Sequence, residues 1–326
     1  MKKGCLILLG IVAVLLLGLV IAGFVGFRIA NQRFGVSLAP EISHETYADA
    51  DTRIRLVINP ELATSYIEAY LPDDVEINTA GFKLADVMNH VVPREMAFLA
   101  QSDVIGKKVR LTLFANERRG GPLLEMVVRE SNVFANMPQI SWTTAGLELR
   151  GRGALLAEGD IPIPEVAESE ILSLWPTRAQ APPAQVRGGH LAELVIDNHN
   201  GDILAFASAA VTASGDDWEK LRAEGMADTV VNIIESIYLC RMTADMQDKD
   251  TIALALRIDM HEDKGPLLHS FLSYMATPWV RDTLRNEHNL VLKGEMLWNE
   301  EESAILGEYT ISGIEAFVRK MLEESS

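Results

Sequence analysis

Cysteine, aromatic residues and positive charge are all scarce in this chain of 326 residues. Two cysteines, Cys5 and Cys240, are too few for a disulfide scaffold or a metal cluster built from several thiolates. The 29 basic and 46 acidic side chains give a formal net charge of −17, which argues against binding to nucleic acid because phosphate attraction needs a basic surface. Aromatic residues make up 6% of the chain, and no local aromatic run suggests stacking on bases or sugars.

Apolar residues, in contrast, are abundant, and they exclude a disordered chain. Hydrophobic residues account for 48% of the sequence, and the mean hydropathy is +0.11. A disordered chain cannot bury enough apolar surface to offset its ordering entropy, whereas this composition can. At about 100–200 residues per domain, the length predicts two domains after a membrane segment is removed.

The longest apolar run lies near the N-terminus, where residues 5–27 include no polar side chain other than the Cys5 thiol. As a helix this run is about 35 Å long, enough for a hydrocarbon core of about 30 Å. We therefore expect residues 5–27 to be a single-pass anchor that contacts membrane lipid, between a short flank, 1–4, and a juxtamembrane segment, 28–44. A cleaved signal peptide is the alternative, but its apolar stretch is normally about 7–15 residues long.

The orientation of this anchor follows mainly from the charge of the remaining chain. Two lysines precede the run and Arg28 and Arg33 follow it, so the positive-inside rule barely decides the orientation of the anchor. The acidic remainder would be repelled by an anionic cytoplasmic leaflet. We expect a signal-anchor in the cell membrane with the globular part outside the cytoplasm.

Three short sequence matches in the same order indicate an internal duplication. Residues 56–59, 84–86 and 121–128 match residues 194–197, 226–228 and 265–272, at offsets of 138, 142 and 144. The nearly constant offset predicts two tandem copies, residues 45–175 and 190–326, joined by a Pro- and Gly-rich linker, 176–189.

Hydrophobic periodicity predicts similar elements in the two copies. In the second copy we expect a helix from Met226 to Ile237, strands at 238–246 and 251–260, a helix that begins at Gly265 and Pro266, a hairpin of 290–296 with 304–311, and a helix over 312–324. Leu267, Leu268, Phe271 and Leu272 are predicted to form one buried stripe. In the first copy we expect an opening strand, a helix at 84–91, strands at 95–102 and 107–115, a helix from 121, a weaker hairpin of 139–144 with 146–150, and a short helix near 165–174.

A further hairpin is predicted where Asn200 and Gly201 separate the apolar runs 191–196 and 203–207. Helices and antiparallel hairpins in this order are typical of the α+β class, with helices covering one face of each sheet. We expect the two sheets to lie close together. The sequence leaves open whether they form one continuous layer.

No motif indicates catalysis or a cofactor, so we predict no catalytic, cofactor-binding or metal-binding residues and no cofactor. His261 begins the densest histidine and acid cluster, 261–263, but Gly265 stands where the zinc pattern requires a second histidine. Residues 197–202 resemble a calcium loop only superficially, because Asp202 and Ser208 occupy the positions of its glycine and glutamate. Cys240 lies on a predicted strand with alternating apolar residues and is expected to be a buried, inert thiol.

Several other polar groups are expected to have structural roles. Residues 214–217 form a helix-capping pattern, and residues 151–153 begin like a phosphate loop but lack its later glycine and lysine. The acidic groups 73–74, 216–217 and 300–302 lie beside predicted turns or helix starts, where carboxylates are usually solvated.

The anchor, the duplication and the missing catalytic motif together favour a membrane-anchored extracytoplasmic binding or scaffold protein, and an enzyme is less favoured. Its expected partner is an envelope protein or an apolar ligand held at the junction of the two units. One alternative is an extracytoplasmic hydrolase whose site is assembled only in three dimensions. Another is a structural subunit whose anchor packs, through the face of Gly18, Ala22 and Gly26, into a membrane complex. The sequence does not decide the oligomeric state.

Overall fold

A computed structural model describes the fold over most of the chain after residue 42. The described residues are 43–49, 51–70, 93–103, 105–116, 141–142, 148–150, 154–165, 168, 189–199, 201, 203–213, 220, 223, 225–261 and 264–324. Within them, no helix has the length and hydropathy needed to cross a bilayer. The predicted anchor, residues 5–27, lies outside the described part.

The described residues contain eleven strands. They are β1 (Thr52–Ile58), β2 (Met96–Asp103), β3 (Lys108–Asn116), β4 (Ser141–Trp142), β5 (Glu148–Arg150), β6 (Ala154–Pro162), β7 (Ala192–Asp197), β8 (Ile237–Met246), β9 (Thr251–Met260), β10 (Val291–Asn299) and β11 (Ala304–Ser312).

The α-helices of the described part are α1 (Ile67–Tyr70), α2 (Ile203–Ala213), α3 (Met226–Ser236), α4 (Gly265–Phe271), α5 (Thr277–His288) and α6 (Ile314–Glu324). A π-helical turn, Leu272–Ala276, joins α4 to α5 without a break. Two 3₁₀ turns, His44–Thr46 and Pro60–Tyr66, flank β1.

All eleven strands belong to one antiparallel sheet. Its order is β10-β11-β9-β8-β7-β1-β2-β3-β6-β4, and β5 pairs with β6 beside β4. The two halves of the chain meet at its centre, where Leu56 of β1 lies opposite Leu194 of β7. The α+β class is thus confirmed, and the single continuous layer that the sequence left open is the observed arrangement.

The first half and the second half of the sheet have the same strand order when read outward from this centre. The first half runs β1, β2, β3, β6, and the second runs β7, β8, β9, β11. Beyond these, β4 and β5 pair with the outer strand β6, as β10 pairs with β11. In both halves the edge of the sheet is therefore formed by the segment that comes just before that half's last strand in sequence.

Three apolar clusters form the core, on two faces that we name from the alternation of side chains. Face A carries Ile54 and Leu56 of β1, and face B carries the intervening Arg55 and Val57. Helix α2 covers face A of the first half, where Leu204 and Ala205 are completely buried. Tyr47 covers face B of the same half, with its ring centroid 5.4 Å from that of Phe114. The third cluster lies on face A of the second half, beneath α3 and α4.

The segments that follow the two central strands cross between the halves. Helix α2 follows β7 of the second half, yet it packs against β2, β3 and β6 of the first half. Helix α1 follows β1 of the first half and contacts α6 near the C-terminus, where Arg319 Nη2 donates to the carbonyl of Ala69 at 2.9 Å. Each half therefore depends on the other for part of its packing.

Two predicted hairpins are wrong. Residues 203–207 belong to α2 instead of a strand: a short apolar run fits a buried helix as well as a strand, and α2 is rich in alanine, the best helix former. The Asn198 Oδ1 atom accepts the Ile203 backbone N–H at 3.1 Å, so the predicted turn leads into the helix. The proposed pairing of 139–144 with 146–150 also fails, because β4 and β5 both pair with β6.

Most other predicted elements are confirmed to within a few residues. These are the strands at 95–102, 107–115, 238–246 and 251–260, the hairpin of 290–296 with 304–311, and the helices at 226–237, 265 and 312–324. The predicted buried stripe is wrong at one position, since Leu268 is buried but Leu267 is 74% exposed. The predicted helices at 84–91 and 121–128 and most of 165–174 and 176–189 lie outside the described residues.

Candidate functional site

An apolar surface on face A of the second half is the strongest candidate for a binding site. We call it the apolar floor and define it by eight half-buried side chains: Met242, Ala244 and Met246 of β8, Ile252, Leu254 and Leu256 of β9, and Tyr309 and Ile311 of β11. Fully packed core residues are shielded from solvent, whereas every member of this set keeps part of its surface accessible. The floor is thus apolar without being closed.

Strand register makes these side chains one continuous patch. Leu254 pairs with Ala244 on one side and with Tyr309 on the other. Ile252 pairs in the same way with Met246 and Ile311. Directly paired residues in an antiparallel sheet have Cβ atoms about 4.5–5.5 Å apart, so the patch spans three strands with no polar side chain between them.

Helices border the floor on two sides. Helix α4 and the π-helical turn place Leu268, Phe271 and Leu272 over β9, β10 and β11, and α3 contributes Ile233 from the other side. Leu256 belongs both to the floor and to this third cluster. The floor therefore begins where the closed core ends.

Tyr309 connects the floor to the helical border. Its hydroxyl lies 3.4 Å from Thr277 Oγ1 at the start of α5. Burial raises the pKa of Tyr309, so its hydroxyl is neutral near neutral pH. Beside it, Gly294 of β10 has φ +130 and approaches the backbone of Glu308 too closely to permit a Cβ atom. This close approach brings β10 against the tyrosine ring.

Face B of the same strands is polar, so the apolar character of the floor belongs to one face of the sheet and not to the whole segment. Arg257 of β9 forms hydrogen bonds with Asp259 at 2.8 Å and with Glu302 at 2.6 Å. These bonds raise the pKa of Arg257. Nearer the centre, Arg241 Nε lies 3.2 Å from Glu193 Oε1. The two faces of the second half thus present opposite chemistry.

A second candidate is a polar cluster at the sheet end formed by the end of β7, the start of β8 and the end of β9. His199 Nδ1 lies 2.8 Å from Asp197 Oδ1, and His261 Nδ1 lies 2.7 Å from the Tyr238 hydroxyl. Tyr238 stands between His199 and His261 along the chain, and its ring contacts both imidazoles. The Tyr238 ring centroid lies 6.1 Å from that of His199 and 4.3 Å from that of His261. The structure thus brings together two histidines that are 62 positions apart in the chain.

This polar cluster has features of acid–base chemistry. An imidazole whose Nδ1 atom is held by a carboxylate keeps Nε2 for a substrate proton, as in hydrolases. Ser236 contacts His261 through its backbone carbonyl, which accepts the His261 N–H at 2.8 Å, while its hydroxyl donates to the carbonyl of Ile233 at 2.6 Å. The described residues do not include a group of three or more His, Cys, Asp or Glu side chains suited to a metal ion. Glu262 and Asp263 lie outside that part.

The Cys240 thiol lies on face A, where its surroundings disfavour the thiolate. Burial raises its pKa to about 12, so it is protonated near neutral pH. A thiol is nucleophilic as its thiolate, and this site disfavours the thiolate. The Cys240 side chain is half-buried, and its inertness stays a prediction.

The pair of His44 and Glu95 was not anticipated from sequence. His44 is 4% exposed; its backbone N–H donates to Glu95 Oε1 at 2.6 Å, and its Nδ1 lies 3.0 Å from the same oxygen. Burial raises the pKa of Glu95, but the hydrogen bonds from His44 and Ser43 outweigh it and leave the pKa below its ordinary value. The pair fastens the segment before β1 to the start of β2. The 51 positions between the two residues leave no local sequence signal for this contact.

Of the remaining polar groups singled out in the sequence, only some lie in the described part of the chain. Glu302 has a structural role through Arg257. The groups at 73–74, 151–153 and 214–217 lie outside the described residues, as do Gly18, Ala22 and Gly26.

Comparison with known proteins leaves the family open. No protein-family model and no curated protein sequence matches the chain. Among solved structures, two crystal forms of the protein TP0453 are similar at 10% sequence identity. Form I covers 86% of this chain and 96% of its own, with a TM-score of 0.30, and form IV covers 83% and 92%, with a TM-score of 0.29.

Proposed function

We propose that this protein is a membrane-anchored extracytoplasmic binding protein that holds a lipid-like apolar ligand on the apolar floor. The observation that carries the proposal is the half-buried state of eight apolar side chains on three adjacent strands. Burying exposed apolar area contributes about 25 cal/mol per Å², so an acyl chain laid along the floor would gain free energy without any specific polar contact.

The composition of the floor supports an elongated, variable ligand. Met242 and Met246 have unbranched, polarizable side chains that adapt to irregular apolar partners. The floor has no charged side chain that would orient a rigid polar substrate. An acyl chain fits this chemistry better than a compact polar metabolite does.

We also infer that the chain arose by tandem duplication of one sheet-and-helix unit and that residues 5–27 anchor it in a membrane. The matching strand order of the two halves supports the duplication, as does the pairing of Leu56 with Leu194, which the sequence match had aligned. The apolar run of residues 5–27 supports the anchor.

Binding of a fluorescent long-chain fatty acid to the full-length protein in detergent tests the proposed function. Leu254→Trp fills the floor while keeping it apolar, and should weaken binding at least about tenfold by steric exclusion. Ala255→Trp is the matched control, because Ala255 is the next residue of β9 and points from face B into solvent. Equal binding by the wild type and both variants would refute the floor as the site, as would an absence of binding by the wild type.

A hydrolase is the second candidate function, favoured by the polar cluster of Asp197, His199, Tyr238 and His261. If the cluster is catalytic, His199→Gln and His261→Gln should abolish ester hydrolysis by the purified protein. If wild-type protein does not hydrolyse a panel of chromogenic acyl esters above the buffer rate, this alternative fails.

A further inference from the structure

Three large apolar side chains stand in solvent on the helical border of the floor. Leu267 of α4 is 74% exposed, and Tyr274 and Met275 of the π-helical turn are 79% and 46% exposed. Tyr274 and Met275 follow Leu267 by seven and eight residues in one unbroken helical segment, and all three side chains are exposed. We call these three residues the exposed stripe.

The exposed stripe contrasts with the side chains of the same helix that pack against the protein. Leu268, Phe271 and Leu272 of the same helical segment pack into the third apolar cluster. The helix is thus apolar on both sides, a pattern that a surface helix with only one partner does not need. The π-helical turn, a rare geometry that often occurs at functional sites, lies in the middle of this segment.

Local charge distinguishes the surroundings of the stripe from the rest of the molecule. The chain has 46 acidic side chains, yet none lies between Lys264 and Arg281. Across residues 264–293 there are four Lys or Arg and two Asp or Glu residues, and Glu262 and Asp263 directly precede this stretch, in a chain whose net charge is −17. The nearest acidic strand residues, Glu295 and Glu308, pair with each other on face B, away from the helix.

We propose that the exposed stripe docks on the surface of a lipid bilayer, so that the apolar floor can exchange its ligand with that bilayer. This inference rests on the proposed function. Apolar side chains that enter the headgroup boundary, flanked by cations, are the usual means by which a helix lies on a membrane. The exposed cations Lys264 and Arg285 would face anionic headgroups that the acidic remainder of the molecule avoids, whereas Arg281 donates to the carbonyl oxygens of Leu292 and Gly294.

The chain before the described fold favours a bilayer over other occupants. Residues 28–42 connect the apolar run to Ser43, and fifteen residues reach at most about 50 Å when fully extended. A body tethered so closely to a membrane meets lipid at a high effective concentration, so a weak docking surface is sufficient.

Depth-dependent quenching in reconstituted vesicles tests this docking. Full-length protein with Cys5→Ser would carry a fluorophore on Leu267→Cys, Tyr274→Cys or, as the control, Leu297→Cys. Leu297 is 60% exposed on β10 and points from face B. Vesicles of phosphatidylcholine with a minority of phosphatidylglycerol would contain a lipid whose acyl chain bears a quencher.

We expect the quenching lipid to reduce fluorescence at Leu267→Cys and Tyr274→Cys at least about threefold more than at Leu297→Cys. A double variant, Leu267→Ser with Tyr274→Ser, should remove this difference for a label at Met275→Cys. Equal quenching at all positions, or stronger quenching at Leu297→Cys, would overturn the proposal. So would a crosslink in detergent between two copies through position 274, which would assign the stripe to a protein partner.

The same variants separate this inference from the proposed function. The docking inference alone fails if the double variant and the wild type bind the fluorescent fatty acid equally in detergent and neither shows the quenching pattern in vesicles. If fatty acid binding is absent from the wild type, the proposed function fails and the docking inference fails with it.

Discussion

Leu56 of β1 lies directly opposite Leu194 of β7, and both side chains are buried at the centre of the sheet. The two residues also occupy the same place in the proposed internal repeat, 138 positions apart. A residue that pairs with its own counterpart marks a local two-fold axis, comparable to an isologous interface between two subunits. The centre of this sheet thus resembles a dimer interface contained in one chain.

The central pair should be strongly coupled in stability. Leu56→Ala and Leu194→Ala each remove a buried leucine and should lower the free energy of unfolding by about 2–5 kcal/mol. The double variant should deviate from the sum of the single effects by at least about 0.5 kcal/mol, because the residues are in contact. Urea unfolding of the full chain in detergent measures these values.

A distant pair provides the control for this coupling. Leu290 is 2% exposed and lies immediately before β10, at the opposite edge of the second half. Leu56→Ala combined with Leu290→Ala should be additive within about 0.5 kcal/mol. Full additivity at the central pair would contradict the description of the two halves as one cooperative sheet.

Stability should fall in acid through Glu95. Because the pKa of Glu95 is lower in the folded protein than its ordinary value, the ionised carboxylate stabilises the fold above that ordinary value, about 4.5, and this contribution is lost as the pH falls below it. Glu95→Gln should therefore reduce the urea midpoint at pH 7 and flatten its decline between about pH 5 and pH 3. Glu308→Gln, at an exposed position of β11, is the control and should keep the wild-type pH profile. An unchanged profile in Glu95→Gln would exclude this residue as the source.

Cys240 should be unreactive in the folded protein. Its pKa of about 12 keeps the thiol protonated at neutral pH, and the half-buried position of the side chain restricts access to reagents. In a Cys5→Ser background, maleimide at pH 7 should label Cys240 of the native protein at least about a hundredfold more slowly than it labels a Leu297→Cys control. Unfolding should make Cys240 react readily. Rapid labelling of native protein would show that the site opens or that the thiolate is accessible.

Gly294 should tolerate no side chain. Its φ of +130 is available to glycine but not to other residues, and a Cβ atom there would meet the Glu308 carbonyl oxygen. Gly294→Ala should destabilise the fold by at least about 2 kcal/mol and loosen the contact with Tyr309. Glu295→Ala, at the next and exposed position of β10, should change stability by no more than about 0.5 kcal/mol. A thermal melt of the two variants would settle the matter, and equal melting temperatures would contradict this role of Gly294.

Local patterns were sufficient for most strands and helices of the second half. Alternation along β8, β9 and β11 is regular, and Pro266 marks the start of α4, so the corresponding predictions are confirmed. The strand predicted at 203–207, which is part of α2, is wrong because it depended on the same local pattern. An apolar run without periodicity does not distinguish a strand from a helix that is buried on all sides, and only its contacts with the first half decide.

The candidate site depended on information that no local pattern contains. The apolar character of Met242 and Leu254 is visible in the sequence, but their half-buried state depends on where α3 and α4 are placed. The polar cluster likewise depends on the sheet order that brings His199 to Tyr238 and His261. Leu267 was assigned to the buried stripe because the helical pattern fits it as well as it fits Leu268.

Photo-crosslinking maps the ligand most directly. Full-length protein in detergent would be irradiated with a long-chain fatty acid that carries a diazirine in its acyl chain, and the modified peptides would be identified by mass spectrometry. The account predicts adducts concentrated on β8, β9 and β11, at face A residues such as Met242 and Leu254, that disappear with excess unlabelled fatty acid and with Leu254→Trp. Adducts that spread over both faces of the sheet, or that persist under competition, would contradict it.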